Sequence, residues 1–307
     1  MVASAYPAYV RLLETGELAL RTSSAQDILK CCTLCPWECG VDRTGEEMGK
    51  CQTGSTARVY SYMPHHGEEH PLRGRHSSGT IFFSGCNMHC QFCQNADISQ
   101  DIYGMLVSAD KISAMMLDLQ ACGCHNINLV SPTHVIPQIL DALLISAQKG
   151  LRLPLVYNTG GYDAINTLKL LAGIIDIYMP DMKYADVEIA KKYSHIPDYP
   201  YHNQKAVKEM HRQVGDLELD NNGIAVRGLL VRHLVLPGNI SGTKEVIDFL
   251  SQNISINTYV NIMDQYRPEY HARQFPELFH RTSVDEFQSA VDMAIDCGIE
   301  RIDHLML

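Results

Sequence analysis

Three cysteines within eight residues constrain this chain more than any other feature of its sequence. Cys86, Cys90 and Cys93 follow the spacing C-x3-C-x2-C, directly after a short apolar run at residues 80–84. Three thiolates on one loop can hold three irons of a cubane cluster and leave the fourth iron without a protein ligand. Zinc sites usually have four ligands in two pairs. We therefore predict that this loop holds a 4Fe-4S cluster at the end of a strand.

From about residue 79 onward, strand-like and helix-like segments alternate. This alternation predicts a parallel sheet with right-handed crossovers. There are six such units, whereas a closed barrel has eight, so we predict an α/β fold with a partial (β/α)6 barrel. A doubly wound sheet is the competing arrangement, and in both folds the active site lies at the carboxyl ends of the strands. The predicted strands are residues 80–84, 126–130, 153–157, 176–179, 228–236 and 258–263.

Two parts of the chain depart from this alternation of strands and helices. Residues 1–78 do not follow it, and we interpret them as an N-terminal, cysteine-rich extension to a barrel at residues 79–307. Residues 217–227 contain an Asn-Asn-Gly turn between alternating residues, which predicts a β-hairpin insert. Residues 301–307 are a candidate for a last short strand.

The extension carries a second group of four cysteines: Cys32, Cys35, Cys39 and Cys51. Four thiols joined by tight loops suit tetrahedral zinc or an iron–sulfur cluster. The sequence leaves the metal open, and reduced cysteines without a ligand are the alternative. A cluster there could relay electrons or anchor a substrate, whereas zinc would only stabilise the fold of the extension.

Composition narrows the class of protein. The chain has 307 residues, of which 46% are hydrophobic, and a net charge of −10, which disfavours nucleic acid as a partner. No apolar run reaches the roughly 20 residues that a membrane span needs. The N-terminus shows no secretory signal, so we expect a cytoplasmic protein. Clustered cysteines in such a chain indicate metal ligands and not a disulfide framework.

The cysteine loop resembles that of the radical S-adenosylmethionine (SAM) superfamily, which also has an aromatic residue before the third cysteine, here Phe92. The resemblance implies that the open iron chelates SAM and that the reduced cluster cleaves it. The product is a 5′-deoxyadenosyl radical, which abstracts hydrogen from a substrate. It further implies that Phe92 packs against the adenine and that flavodoxin or ferredoxin donates the electron.

A narrower resemblance, from Cys32 to about residue 298, is to uncharacterised homologues of pyruvate formate-lyase activating enzyme. Asn158-Thr159-Gly160 resembles a segment that touches the sugar or methionine part of the cofactor. Asp181-Met182-Lys183 resembles an Asp-Leu-Lys motif, which implies that Lys183 pairs with the methionine carboxylate. Arg232 resembles an arginine that flanks the cofactor.

The chain departs from the superfamily after the second predicted strand. Gly-Gly-Glu usually stands there and holds the amino group of the cofactor, but this chain has Val130-Ser131-Pro132-Thr133-His134. The hydroxyls of Ser131 and Thr133, or backbone carbonyls, could accept from an ammonium group. His134 could be a proton donor, a substrate contact or a helix N-terminal residue. Further candidates for substrate contact follow the sixth strand: Gln265, Tyr266 and Arg267.

Three functional hypotheses follow. The leading one is a radical enzyme that acts on a protein or peptide, such as the glycine backbone of a partner enzyme. The second is a radical enzyme that acts on a small molecule. The third is a non-catalytic iron–sulfur or zinc protein, for which no 5′-deoxyadenosine would form.

Overall fold

The computed structural model describes residues 7–303, and within this range ten strands form one sheet. The strands are β1 (Ala57–His65), β2 (Ser78–Phe83), β3 (Met105–Val107), β4 (Ile127–Val130), β5 (Leu155–Thr159), β6 (Ile177–Pro180), β7 (Glu218–Leu219), β8 (Ala225–Leu234), β9 (Tyr259–Met263) and β10 (Ile302–Asp303). The helices are α1 (Ala8–Glu14), α2 (Glu17–Ile28), α3 (His70–Arg73), α4 (Ala96–Ser99), α5 (Ala109–Ala121), α6 (Ile136–Gln148), α7 (Ile165–Leu170), α8 (Val187–Ser194), α9 (Tyr199–Val214), α10 (Thr243–Asn253) and α11 (Val284–Asp296).

The central strands run parallel in the order β2, β4, β5, β6, β8, β9 and β10. β1 and β3 extend the β2 edge as antiparallel strands. The sheet therefore has two ends, β3 and β10, and helices connect most of its parallel strands. The predicted α/β class and partial barrel are confirmed.

Helices cover the outer face because their apolar residues line up on the side that meets the sheet. α6 is the clearest case, since Ile136, Ile139 and Leu143 are all at most 1% exposed. α2 packs on α6, where the Gln26 amide donates to Asp141 Oδ2 at 2.5 Å. Within residues 7–303, no helix has the length and apolarity needed to cross a bilayer.

The first 78 residues contribute to the sheet as well as to its cover. β1 pairs with β2 from Val59–Phe83 to His65–Ser78, with one irregularity near Val59. Further along, β7 pairs antiparallel with the start of β8 across a turn closed by Asp220. This pair lies inside the predicted insert at residues 217–227.

A short segment containing α3 crosses the open side of the barrel. The backbone N–H of His70 donates to Asp303 of β10, and the Leu72 carbonyl accepts from Asn126 before β4. Leu72 is fully buried against apolar side chains of the barrel interior, including Val156 and Leu230. The segment therefore closes the inside of the sheet with an apolar plug.

Predicted and observed bounds differ at particular residues. β5 begins at Leu155 because Pro154 before it has no N–H to donate. α9 begins at Tyr199, with Pro200 in its first turn. β10 covers part of the predicted last strand, and residues 304–307 of that prediction lie outside the described residues.

Candidate functional site

The cysteine loop leaves β2 through a sharp turn. Gly85 has φ +85°, and a Cβ there would come within 2.8 Å of the Cys51 carbonyl, so the position favours glycine. The loop folds back on itself so that each sulfur meets a polar group. Cys86 Sγ accepts from the Met88 N–H at 3.3 Å and Cys90 Sγ from Ser194 at 3.0 Å. The sulfur of the third predicted ligand, at position 93, lies 3.2 Å from the Ser99 hydroxyl.

These cysteines face charged residues across an open cleft of about 220 Å³. The parallel register explains the meeting, since Asp181 forms a β-bridge with Arg232 just beyond the end of β6. The cleft therefore lies at the carboxyl ends of the strands, as predicted. Its lining residues are Cys90, Phe92, Cys93, Gln94, Asn95, Asp181, Lys183, Arg232, Leu234, Met263 and Gln265.

Four of the predicted cofactor contacts form one hydrogen-bonded network. Asp181 accepts from Arg232 Nε at 2.8 Å and from Lys183 Nζ at 2.5 Å. Arg232 Nη2 also donates to Asn158 Oδ1 at 2.7 Å. The structure thus brings together residues that lie on three different strand ends in the sequence.

Electrostatics keep this network ionised. Burial opposes ionisation of Asp181, but Arg232 and Lys183 outweigh it and hold the pKa of Asp181 below its ordinary value. Burial likewise opposes the charge on Lys183, and Asp181 outweighs it and raises the pKa of Lys183. The cleft thus presents two cations and one anion, a net positive charge that suits a carboxylate ligand.

The aromatic residue of the loop is held by other aromatics. Phe92 is 5% exposed and meets Tyr184 and Tyr266 edge-on, with ring centroids 6.2 Å and 5.8 Å away. Tyr266 is buried, and its hydroxyl donates to the Leu278 carbonyl, so it supports Phe92 from behind. Of its predicted neighbours in substrate binding, Gln265 lines the cleft, and Arg267 is exposed to solvent.

The altered segment after β4 divides between two environments. Ser131 is half-buried with φ +55°, and its N–H donates to the Asn158 carbonyl at 2.9 Å. Thr133 instead lies in the interior, where its hydroxyl donates to Asp163 at 2.7 Å. His134 is buried and donates from Nε2 to the Ser84 carbonyl at 2.8 Å, and burial lowers its pKa to about 4. His134 is therefore neutral and lines the cavity of the N-terminal cysteines.

The loop fits the predicted cluster. Burial raises the pKa of the Cys86 and Cys90 thiols, and a metal that binds them would displace their protons. Within residues 7–303, no three Cys, His, Asp or Glu side chains have the arrangement of ligands to a single metal ion. Each cysteine of a cubane binds a different iron, so these thiols need to surround a cluster and not to meet at one point.

Below the charged network, the barrel interior holds a polar layer that the sequence analysis missed. Glu68, Glu69 and Asn128 are each at most 7% exposed, and Asn261 donates to Glu69 Oε1 at 3.0 Å. Burial, and then Glu69, raise the pKa of Glu68 to about 7. Within the described residues, Glu69 Oε2 and both amide atoms of Asn128 have no hydrogen-bond partner. The sequence did contain a signal for this layer: a single Asn within an otherwise apolar strand, Asn128 in β4 and Asn261 in β9.

The four N-terminal cysteines come together in one small cavity. Its lining residues are Cys32, Leu34, Cys35, Glu38, Cys39, Arg43, Gly49, Lys50, Cys51 and His134. Cys31, next to the first of the four, is exposed to solvent. The structure therefore groups the cysteines that the sequence spacing grouped and adds Arg43, which sequence reasoning did not single out.

Comparison with known proteins shows which protein family the chain matches. The radical SAM superfamily matches residues 80–250 of the chain. An uncharacterised protein of Methanocaldococcus jannaschii, MJ0674, is 31% identical over 294 residues, which cover 93% of this chain and 80% of that protein.

Two solved structures are similar to part of the chain. HydG, a maturase of the [FeFe]-hydrogenase, is 11% identical with a TM-score of 0.49 over 71% of this chain. The match covers 48% of HydG, so the chain spans about half the length of that protein. TYW1, solved with a lysine-pyruvate adduct bound, is 12% identical with a TM-score of 0.45, over 71% of this chain and 73% of TYW1.

Proposed function

Because the chain belongs to the radical SAM superfamily, we propose that it cleaves SAM reductively with a 4Fe-4S cluster on Cys86, Cys90 and Cys93. One observation carries the proposal: the cysteine loop and the network of Lys183 and Arg232 face each other across one cleft. The cytoplasm is the compartment we propose, because its reducing conditions keep the eleven free cysteines as thiols.

In this proposal the side chains bind and orient SAM. Lys183 and Arg232 attract the methionine carboxylate, and Asp181 holds both cations in place through its two oxygens. Phe92, braced by Tyr266, offers an aromatic edge to the adenine. When bound, the cluster supplies the electron that breaks a C–S bond of the sulfonium, which releases methionine and a 5′-deoxyadenosyl radical.

For the target of the radical we propose a protein or peptide, in the manner of enzymes that activate glycyl-radical enzymes. The likeness of Asn158-Thr159-Gly160 and Asp181-Met182-Lys183 to segments of pyruvate formate-lyase activating enzyme supports this proposal. The openness of the cleft also supports it, since Gln94, Asn95 and Gln265 at the rim are exposed to solvent. Flavodoxin or ferredoxin is the proposed electron donor.

A small-molecule substrate is the second candidate, and the polar layer inside the barrel favours it. A buried polar group without a partner costs about 1–3 kcal/mol, and Asn128 and Glu69 both carry such atoms within residues 7–303. A ligand with hydrogen-bonding groups would satisfy them. Arg232 borders both this layer and the cleft, so a small substrate could lie between SAM and the layer.

Product analysis tests the chemistry. Protein reconstituted with iron and sulfide without oxygen, then given dithionite and SAM, should form 5′-deoxyadenosine and methionine in equal amounts. If neither product exceeds the level without protein, the chain is a non-catalytic iron–sulfur or zinc protein, and the proposal fails.

Deuterium transfer tests the target. A fully deuterated cell extract is divided by ultrafiltration into a protein fraction and a small-molecule filtrate. Each is added to the reaction, and 5′-deoxyadenosine is analysed by mass spectrometry. Deuterium acquired from the protein fraction alone supports the activating-enzyme proposal, whereas deuterium acquired from the filtrate alone contradicts it in favour of the second candidate.

A further inference from the structure

The cavity of the N-terminal cysteines contains a buried cation that the chemistry above does not use. Arg43 is 0% exposed, and the backbone places it there through a hydrogen bond from its N–H to the Leu29 carbonyl at 2.8 Å. Its guanidinium lines the cavity with Cys32 and Cys51. A guanidinium keeps its charge at any ordinary pH, so burial demands a negative partner nearby.

The side-chain contacts of Arg43 supply no such partner. Nη2 donates to the Gly54 carbonyl at 2.9 Å, and Nη1 lies 3.7 Å from Cys32 Sγ. Nε has no hydrogen-bond partner within residues 7–303. Both contacts are to neutral groups as long as Cys32 is a thiol, so the guanidinium lacks a counter-charge. Four cysteine thiolates around a metal centre carry a net negative charge and would provide it.

The backbone is shaped around the sulfurs. A Cβ at Gly49 would come within 2.8 Å of Cys39 Sγ, so glycine leaves room for this thiol in its present position. The four cysteines line one cavity, and each thiolate of such a set can bind a different iron of a cubane, so a cluster suits this set of ligands.

The cavity also lies directly against the first cysteine loop. The Trp37 indole N–H donates to the Asn87 carbonyl at 2.8 Å, and Gly85 is in close approach to the Cys51 carbonyl. Asn87 and Gly85 flank Cys86 in the chain. His134 links the two groups as well, because it lines the cavity and donates to the carbonyl at the end of β2.

We propose that Cys32, Cys35, Cys39 and Cys51 bind a second iron–sulfur cluster and that Arg43 is its buried counter-ion. A cluster in this cavity lies beside the loop of the first one, a position that suits one-electron transfer between them. This site does not depend on SAM cleavage, so the two proposals can fail separately.

Metal counting tests the site without any assay of activity. Full-length protein carrying Cys86→Ala, Cys90→Ala and Cys93→Ala together is reconstituted without oxygen, and iron, sulfide and zinc are measured. We expect about four irons and four sulfides per chain and an electron paramagnetic resonance signal after reduction with dithionite. Adding Cys35→Ala should remove the iron, the sulfide and the signal. Adding Cys122→Ala, which changes an exposed cysteine outside both groups, should leave all three unchanged.

Two outcomes overturn the proposal: a triple variant without iron, or one that holds one zinc per chain and no iron. If the triple variant does not fold, the single variants decide. Cys35→Ala in the otherwise native chain should then halve the iron, from about eight to about four per chain, and an unchanged count contradicts the site.

The role of Arg43 has its own comparison. Arg43→Met should lower the occupancy of the second cluster several-fold in the triple variant, whereas Arg43→Lys, which keeps the charge, should retain most of it. Circular dichroism confirms that both variants are folded. Equal iron in the Met and Lys variants contradicts a counter-ion role.

Discussion

Asp181 lies between two cations at the mouth of the barrel, and this small network shows how single residues set the properties of the cleft. Its carboxylate bonds Arg232 and Lys183 at the same time, and each side chain is at most 19% exposed. A pair of this kind contributes little relative to apolar residues, but removal of one partner leaves a buried charge uncompensated.

Asp181→Asn should therefore lower the free energy of unfolding by about 3–5 kcal/mol, because Arg232 and Lys183 keep their charges and lose the carboxylate that both of them bond. Urea denaturation at neutral pH measures the change. Lys244→Gln is the matched control, since it breaks an exposed pair with Asp248 that is worth about 1 kcal/mol or less. Equal losses in the two variants would show that the network in the cleft is not buried.

Glu68, in the polar layer inside the barrel, makes the stability of the protein depend on pH. Burial and Glu69 raise its pKa in the folded protein to about 7, from an ordinary value of 4.5. Below about pH 4.5 both the folded and the unfolded chain hold the proton; as pH rises toward 7, the unfolded chain releases it first and stability falls. Glu68→Gln removes this loss, so its stability relative to wild type should be greater at pH 8 than at pH 5.

Urea denaturation of both proteins at the two pH values measures that difference. Asp110→Asn, at an exposed position in the first turn of α5, serves as the control for a general effect of charge removal. A relative stability of Glu68→Gln that does not change with pH contradicts the raised pKa.

At the residue scale, the sequence identified candidate site residues where polar or charged side chains stand at the end of a predicted strand. Asp181, Lys183 and Arg232 could be singled out because they stand at strand ends, which parallel register brings to one edge. Glu68 and Arg43 lie in loops, where no periodicity says whether a side chain is buried. Glu68 lies beside Asn128 and Arg43 lies in one cavity with His134, and both of these neighbours are far away in the sequence.

At the scale of elements, the segment around α3 matters most for the barrel. It is one short turn of helix, yet Leu72 fills the interior between β5, β6 and β8. Its flanks are tied to β10 and to the start of β4 by His70 and by the Leu72 carbonyl. Because the sheet is open, this segment replaces the strands that a closed barrel would have.

Leu72→Ala should lower the free energy of unfolding by about 2–5 kcal/mol, because a buried cavity replaces the side chain. Leu20→Ala is the control, since Leu20 is 66% exposed on α2 and its loss should change stability by about 0.5 kcal/mol or less. Chemical denaturation of the two variants measures the contrast. A loss at Leu72 no greater than that at Leu20 would mean that the segment does not plug the barrel.

The elements themselves were predictable where hydrophobic runs alternate with amphipathic segments, as in all six predicted strands. β1 was not predicted, because only two of its nine residues are buried and its partner β2 lies beyond a loop. β5 starts two residues after the predicted start, because Pro154 has no N–H to donate to a neighbouring strand.

At the scale of the whole molecule, the topology brings two distant cysteine groups side by side. β1 runs antiparallel to β2, so the chain before β1, which carries Cys51, reaches the loop after β2 at Gly85. Sequence spacing could identify each group alone, but their contact depends on strand pairing. The site is therefore one continuous region, from the N-terminal cavity through the cysteine loop to the cleft.

The central claim is that the loop at Cys86, Cys90 and Cys93 performs SAM cleavage. Its most direct test is the amount of 5′-deoxyadenosine formed by the three single Cys→Ala variants after anaerobic reconstitution, with dithionite as reductant. Cys122→Ala, at an exposed cysteine, is the matched control. We predict wild-type product from Cys122→Ala and only background product from each of the three loop variants; wild-type product from any one of the three would contradict the account.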